Sequence, residues 1–118
     1  MKRIFLKSKL HGLTVTETKL DYEGSLCLDE SLIEAAGLFP FEKVHVYNLT
    51  TGDRFSTYLI RGEKGSGYCG LYGAAAHKAR PGHRLIVVAY ALLDEGEIEF
   101  YSPRIVLLKE KNQIAEIR

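Results

Sequence analysis

Apolar and polar positions alternate along much of this chain in short runs, broken by glycine, proline, asparagine and aspartate. A period of two is the signature of strands, and helical spacing is rare here. Residues 2–10 carry Ile4, Phe5, Leu6 and Leu10 among basic residues, which predicts a first strand. Leu13-Thr14-Val15-Thr16 predicts another from its β-branched content. Leu26-Cys27-Leu28 resumes the pattern after a tight corner at Tyr22-Glu23-Gly24-Ser25. Asp29 is then placed to cap a short helix over 31–36, with Leu28, Leu32, Ile33 and Ala36 on one face and Gly37 as its stop. Residues 43–49 and 54–61 flank Thr50-Thr51-Gly52-Asp53 and predict a hairpin. On its second strand Arg54, Ser56, Tyr58 and Ile60 share one face, and Phe55, Thr57 and Leu59 the other.

The second half is more broken. Residues 62–70 are glycine-rich and predict a loop, followed by a tight helical turn that Pro81-Gly82 ends. Gly65-Ser66-Gly67-Tyr68-Cys69-Gly70 matches a dinucleotide-binding spacing in form, but the segment after it is too short for the helix such a fold requires. Residues 84–93 form a long apolar run, which predicts a strand buried on both faces. Asp94-Glu95-Gly96-Glu97 predicts an acidic turn, residues 105–108 a last core strand, and the charged tail from Lys109 a peripheral segment. Many short strands with brief helices, and no linker or repeat, point to a mainly β fold, a small barrel, as one domain over 1–118.

Composition narrows the functions. The net charge of +1 gives no electrostatic case for nucleic acid or a membrane surface as partner. No apolar run approaches the length of a membrane span. Met1-Lys2-Arg3-Ile4-Phe5-Leu6-Lys7 lacks the apolar stretch and cleavage site of a signal peptide, so a cytoplasmic location is expected. Cys27 and Cys69 are then expected to be reduced and structural. His11, His45, His77 and His83 have no metal-ligand spacing, and no metal is expected.

The candidate chemistry centres on Gly24-Ser25. Glycine tolerates backbone angles that other residues avoid. A serine directly after it has its hydroxyl close to the preceding carbonyl carbon, so a strained corner there permits an N→O acyl shift. An ordinary Gly-Ser turn has the same local sequence. Lys9 and His11 lie two apart and share a face of an extended chain, as do Arg54 and Tyr58 on the hairpin. Each pair reads equally as a solvated strand face.

A longer pattern ties these pieces together. Lys7-Ser8-Lys9-Leu10-His11, Tyr22-Glu23-Gly24-Ser25, the run from Asn48 to Tyr58, Gly73-Ala74-Ala75-Ala76-His77 and Ser102-Pro103-Arg104-Ile105-Val106 occur in this order over nearly the whole chain. In that order and spacing the chain resembles the pyruvoyl-dependent aspartate 1-decarboxylase family. The resemblance implies a double-psi β-barrel assembled as a homotetramer with sites between subunits. It implies self-cleavage into a β chain, 1–24, and an α chain, 25–118. The Ser25 hydroxyl would attack the Gly24 carbonyl, and β-elimination and hydrolysis would leave a pyruvoyl group in place of pyridoxal phosphate as the electron sink. L-aspartate would join it as a Schiff base, lose CO2 and leave as β-alanine, which feeds pantothenate and coenzyme A biosynthesis.

By the same resemblance, Tyr58 would protonate the carbanion. Lys9 and Arg54 would hold the substrate carboxylates. Thr57 would hydrogen-bond the Gly24 carbonyl oxygen during cleavage. The backbone of Gly73, Ala74 and Ala75 would approach the substrate, and His11 and Tyr22 would line the site or assist processing. Some relatives need an accessory maturation protein, so that partner stays open. Strand parity sets Thr57 opposite Arg54 and Tyr58, which requires either a bulge or a neighbouring subunit. Three positions depart from the family pattern: Tyr72 replaces the usual asparagine, Gly12 stands where arginine is frequent after the histidine, and Tyr47 occupies a position tolerant of aromatic or aliphatic residues. Tyr72 bears most on function. It leaves two alternatives beside an aspartate decarboxylase: a non-catalytic relative with Tyr72 filling the site, or a pyruvoyl enzyme for another small amino acid.

Overall fold

The structure, a computed structural model, describes residues 1–118. Its strands are β1 (Lys2–Thr14), β2 (Glu17–Lys19), β3 (Ser25–Asp29), β4 (Lys43–Asn48), β5 (Arg54–Gly62), β6 (Cys69–Tyr72), β7 (Arg84–Asp94), β8 (Arg104–Lys109) and β9 (Gln113–Ile117). The two short helices are α1 (Glu30–Ala35) and α2 (Glu95–Ile98). The strands bond in the order β2-β6-β3-β5-β4-β7-β1-β8-β9 and wrap as a small, mainly-β barrel.

Alternation decides which face is inside. Leu10 aligns with Val87, and Val87 with Val46; all three are fully buried. Leu71, Leu26 and Leu59 align in the same way across β6, β3 and β5, and are also fully buried. Each such side chain contributes about 1.5–3 kcal/mol from apolar area removed from water. The cluster continues to Leu32 and Ile33 of α1. That helix begins at Asp29 as the sequence predicts, with a carboxylate oxygen accepting the Ser31 amide at 2.8 Å. The chain then turns at Gly37, whose φ is +68°.

β5 matters most for the site, because it runs out of one ladder and into another. Its residues 54–58 pair with β4 as the predicted hairpin, and residues 59–62 pair in parallel with β3.

Several expectations need correction. Residue ranges expected as two strands, 2–10 and 13–16, merge into one strand, β1, which ends at Thr14 and carries a register shift between His11 and Leu13 where Gly12 takes φ +90°. The glycine-rich loop gives way early to a strand, β6, because Cys69 and Leu71 fit the core face opposite Leu28 and Leu26. β7 is not buried on both faces: Leu85, Val87 and Ala89 are inside, while Tyr90 and Leu92 are exposed in the single chain. The acidic turn is helical, α2, because Asp94 and Glu97 form a reciprocal capping box. The tail is not wholly peripheral. β9 adds an edge strand to β8, and buried Asn112 accepts from the Thr14 amide at 2.7 Å and donates to the carbonyls of Thr14 at 2.9 Å and Gly67 at 2.8 Å.

Candidate active site

The corner at Tyr22–Ser25 lies against the start of β3, where β5 changes ladders. The parallel register aligns Leu26 with Leu59, and the residues just before them, Ser25 and Tyr58, line one cleft. A cleft of about 500 Å³ opens there, with Gly24, Ser25, Thr57, Tyr58, Ala74 and Ala75 in its wall. Ser25 is buried, and its Oγ is the one buried side-chain oxygen or nitrogen without a hydrogen-bond partner. Leaving a buried hydroxyl unbonded costs about 1–3 kcal/mol. Folded proteins leave few such groups, and a catalytic role is one of the reasons for leaving one.

The turn after β6 closes the other side. Gly73 has φ +66°, and a Cβ on it would lie 2.7 Å from Gly24 Cα, 2.8 Å from Gly24 N and 2.9 Å from the Tyr22 carbonyl oxygen. Only glycine lets the backbone of this turn approach the corner so closely. The small side chains of Ala74 and Ala75 leave the cleft open behind it.

The other predicted residues lie elsewhere on one chain. Lys9 aligns with Val88, Val88 with His45 and His45 with Ser56; His11 aligns with Ile86, Ile86 with Tyr47 and Tyr47 with Arg54. Residues directly opposite on paired strands share a face. Lys9, His11 and Arg54 therefore stand together on the outer face of the β1-β7-β4-β5 sheet, outside the cleft. The Arg54 guanidinium packs over the Tyr47 ring at 4.4 Å, and the Tyr47 hydroxyl bonds that of Tyr90 at 2.7 Å. Burial, with the charges of Lys9 and Arg84, pushes the His11 imidazole below its ordinary pKa. The β4–β5 register runs unbroken from Lys43–Tyr58 to Tyr47–Arg54, so no bulge re-aims Thr57.

Tyr22 and Tyr72 lie beside the cleft, in a second cavity. The Tyr72 ring does not line the Ser25 cleft at all. Its hydroxyl is 2.6 Å from that of Tyr68, which in turn donates to Glu17. Sequence reasoning missed Lys78, the only charged side chain in the cleft wall. It follows the short helical turn over Gly73–His77, and nothing in its sequence surroundings marks it. Its backbone is fixed, with the amide on Ala75 O at 3.0 Å and the carbonyl on Asn48 Nδ2 at 3.0 Å, while no ion pair holds its ammonium.

A small β-barrel holding an unbonded serine in a cleft beside a phenol has the makings of an enzyme, and the comparisons give its class as decarboxylase. The family model that matches is described as aspartate decarboxylase and covers residues 1–115. The aspartate 1-decarboxylase of Cupriavidus necator is 49% identical over 118 residues, spanning 100% of this chain and 98% of that protein. Those of Hydrogenovibrio crunogenus and Bordetella pertussis are 48% and 46% identical, again over all of this chain and over 92% and 97% of theirs. The chain belongs to the aspartate decarboxylase family.

Proposed function

We propose that this protein cuts itself between Gly24 and Ser25 and then converts L-aspartate to β-alanine and CO2. The observation that carries this reading is the buried, unpartnered Ser25 Oγ beside Tyr58 in an open cleft. A hydroxyl with no competing hydrogen bond is free to attack the Gly24 carbonyl. As the Gly24–Oγ ester forms, the Gly24–Ser25 amide bond breaks and frees the Ser25 amine. β-Elimination then removes the Cα proton and expels the Gly24 carboxylate from Cβ, and water hydrolyses the resulting dehydroalanine to the pyruvoyl group with release of ammonia. Thr57, in the same cleft wall, would donate to the Gly24 oxygen as charge builds on it. The pyruvoyl group so formed supplies the electron sink that pyridoxal phosphate supplies elsewhere, and no metal is required.

The chain's own residues do the rest. In this reading Tyr58, which lines the same cleft as Ser25, returns a proton to the decarboxylated carbon. The backbone of Gly73, Ala74 and Ala75 borders the substrate. Carboxylate binding needs cations, and Lys9 and Arg54 lie on an outer sheet face of one chain. Exposed apolar residues on that sheet, Ile4 and Leu92 among them, favour its burial by another copy. A homotetramer would bring Lys9, Arg54 and His11 of one copy to the cleft of its neighbour. No helix is long and apolar enough to cross a membrane. We read the protein as a cytoplasmic supplier of β-alanine for pantothenate and coenzyme A.

Intact-mass analysis tests this. The 13.3 kDa chain should give two fragments, the larger beginning with a pyruvoyl group. β-Alanine should then appear from L-aspartate. A single uncut mass after prolonged warming would support a non-catalytic relative, and cutting without β-alanine would support another amino acid as substrate.

A further inference from the structure

Five side chains beside the cleft form a closed circuit. β2 pairs with β6 so that Glu17 aligns with Gly70 and Lys19 with Tyr72. Tyr68 has one proton and gives it to Glu17, so the 2.6 Å contact between the phenols is Tyr72 donating to Tyr68. This sets the orientation of the Tyr72 ring, which packs against Tyr22 with centroids 4.7 Å apart. The Lys19 ammonium lies 5.1 Å from the Tyr22 ring centre and 5.5 Å from that of Tyr72, and returns to Glu17 at 3.8 Å.

The object held by this circuit is the segment about to be cut. Residues 20–24 belong to no strand or helix, and Tyr22 is half exposed. Its ring has Tyr72 and Lys19 as its aromatic and cationic neighbours. Tyr72 also pairs through its backbone with Ser25, and the next residue, Gly73, packs its backbone on Gly24. One side chain and two backbone contacts thus grip both sides of the Gly24–Ser25 bond. An attack across that bond depends on holding the two reacting atoms in line, and a small displacement costs rate steeply.

We infer that Tyr72, pinned through Tyr68 to Glu17, is a positioning residue that holds Tyr22–Gly24 in register for Ser25 to attack. The inference rests on self-cleavage at Ser25. Tyr72 is not among the residues that line the Ser25 cleft, and its hydroxyl is bonded to Tyr68 rather than to the reacting oxygen. It acts through Tyr22 and the backbone.

The test is the rate at which the full chain converts to two fragments, followed by intact mass. Tyr72→Ala should cut about a hundredfold more slowly than the parent. Tyr68→Phe and Tyr72→Phe break the same link, so each should cut about tenfold more slowly and the double variant no more slowly than either. Glu17→Gln keeps an acceptor carbonyl and should cut at close to the parent rate, whereas Glu17→Leu should match Tyr68→Phe. In a Ser25→Ala background, which cannot cut, amide exchange over residues 22–25 should rise with Tyr72→Ala and Tyr68→Phe. Parent-rate cutting in these variants would overturn the inference alone. So would slowing that follows the loss in Tm, with Glu17→Gln no better than Glu17→Leu. A parent chain that never cuts would overturn self-cleavage itself, and this inference with it.

Discussion

Ser25 and Tyr72 stand directly opposite each other on β3 and β6, and their hydroxyls are held in opposite ways. The serine oxygen is buried and bonded to nothing, while the phenol is tied outward to Tyr68. Tyr72 therefore leaves the Ser25 cleft unfilled. Its ring serves the neighbouring segment instead.

The orphan hydroxyl makes Ser25→Ala unusual in sign. Removing a buried donor that has no partner relieves a desolvation cost, so the variant should gain about 1 kcal/mol of stability. It should also remain a single 13.3 kDa chain and release no β-alanine. Denaturant melts and intact mass check the two halves separately, and turnover by the uncut variant would refute the mechanism.

Gly73→Ala should be much more damaging than its size suggests. The added methyl would sit 2.7 Å from Gly24 Cα, at a φ of +66° that L residues avoid. Backbone strain alone costs about 1–2 kcal/mol. The segment across the Gly24–Ser25 bond must also shift, so cutting should slow by about a hundredfold or more. Thermal melts beside a cleavage time course separate the two effects.

Lys78 predicts a split in kinetic constants. It is the lone charge in the cleft wall, and the proposed substrate carries two carboxylates. Lys78→Met should raise KM for L-aspartate about tenfold while changing kcat little, the pattern of lost uniform binding. Lys78→Arg should restore most of it. An unchanged KM would mean that the ammonium points away from bound substrate.

Asp29 ties stability to pH. Burial alone would raise its pKa, but bonds from the Ser31 hydroxyl and the amides of Gly67, Gly65 and Ser31 outweigh this and hold it below its ordinary value. The unfolded chain therefore binds a proton more readily than the folded one. The stabilisation is present above the unfolded-state pKa and is lost as pH falls towards the lower folded-state value. Asp29→Asn should cost roughly 2–3 kcal/mol at pH 7, and the gap from the parent should shrink below about pH 4. Equilibrium unfolding at several pH values measures it.

The legible parts of the fold were those set by neighbours in the chain. The hairpin over β4 and β5, the cap at Asp29 and the stop at Gly37 all rest on local alternation, one carboxylate or one tolerant backbone. The misread parts depend on distant partners. Cys69–Tyr72 looks like loop among glycines, and becomes a strand only because Leu26 and Leu28 of β3 offer it a ladder and a core. The tail looks soluble, yet Asn112 satisfies backbone groups of Thr14 and Gly67, far away in sequence.

The site divides along the same line. The family resemblance, carried by residue order and spacing over the whole chain, singled out Gly24-Ser25 and associated Thr57, Tyr58 and the alanines with it; the glycine–serine junction by itself reads as an ordinary turn. Only folding could show that the Ser25 hydroxyl is buried without a hydrogen-bond partner, that Tyr58 lines the same cleft, and that the Tyr72 hydroxyl bonds Tyr68. Those outcomes are contacts between strands remote in sequence. A linear pattern specifies which groups are available, and burial and register determine which of them meet.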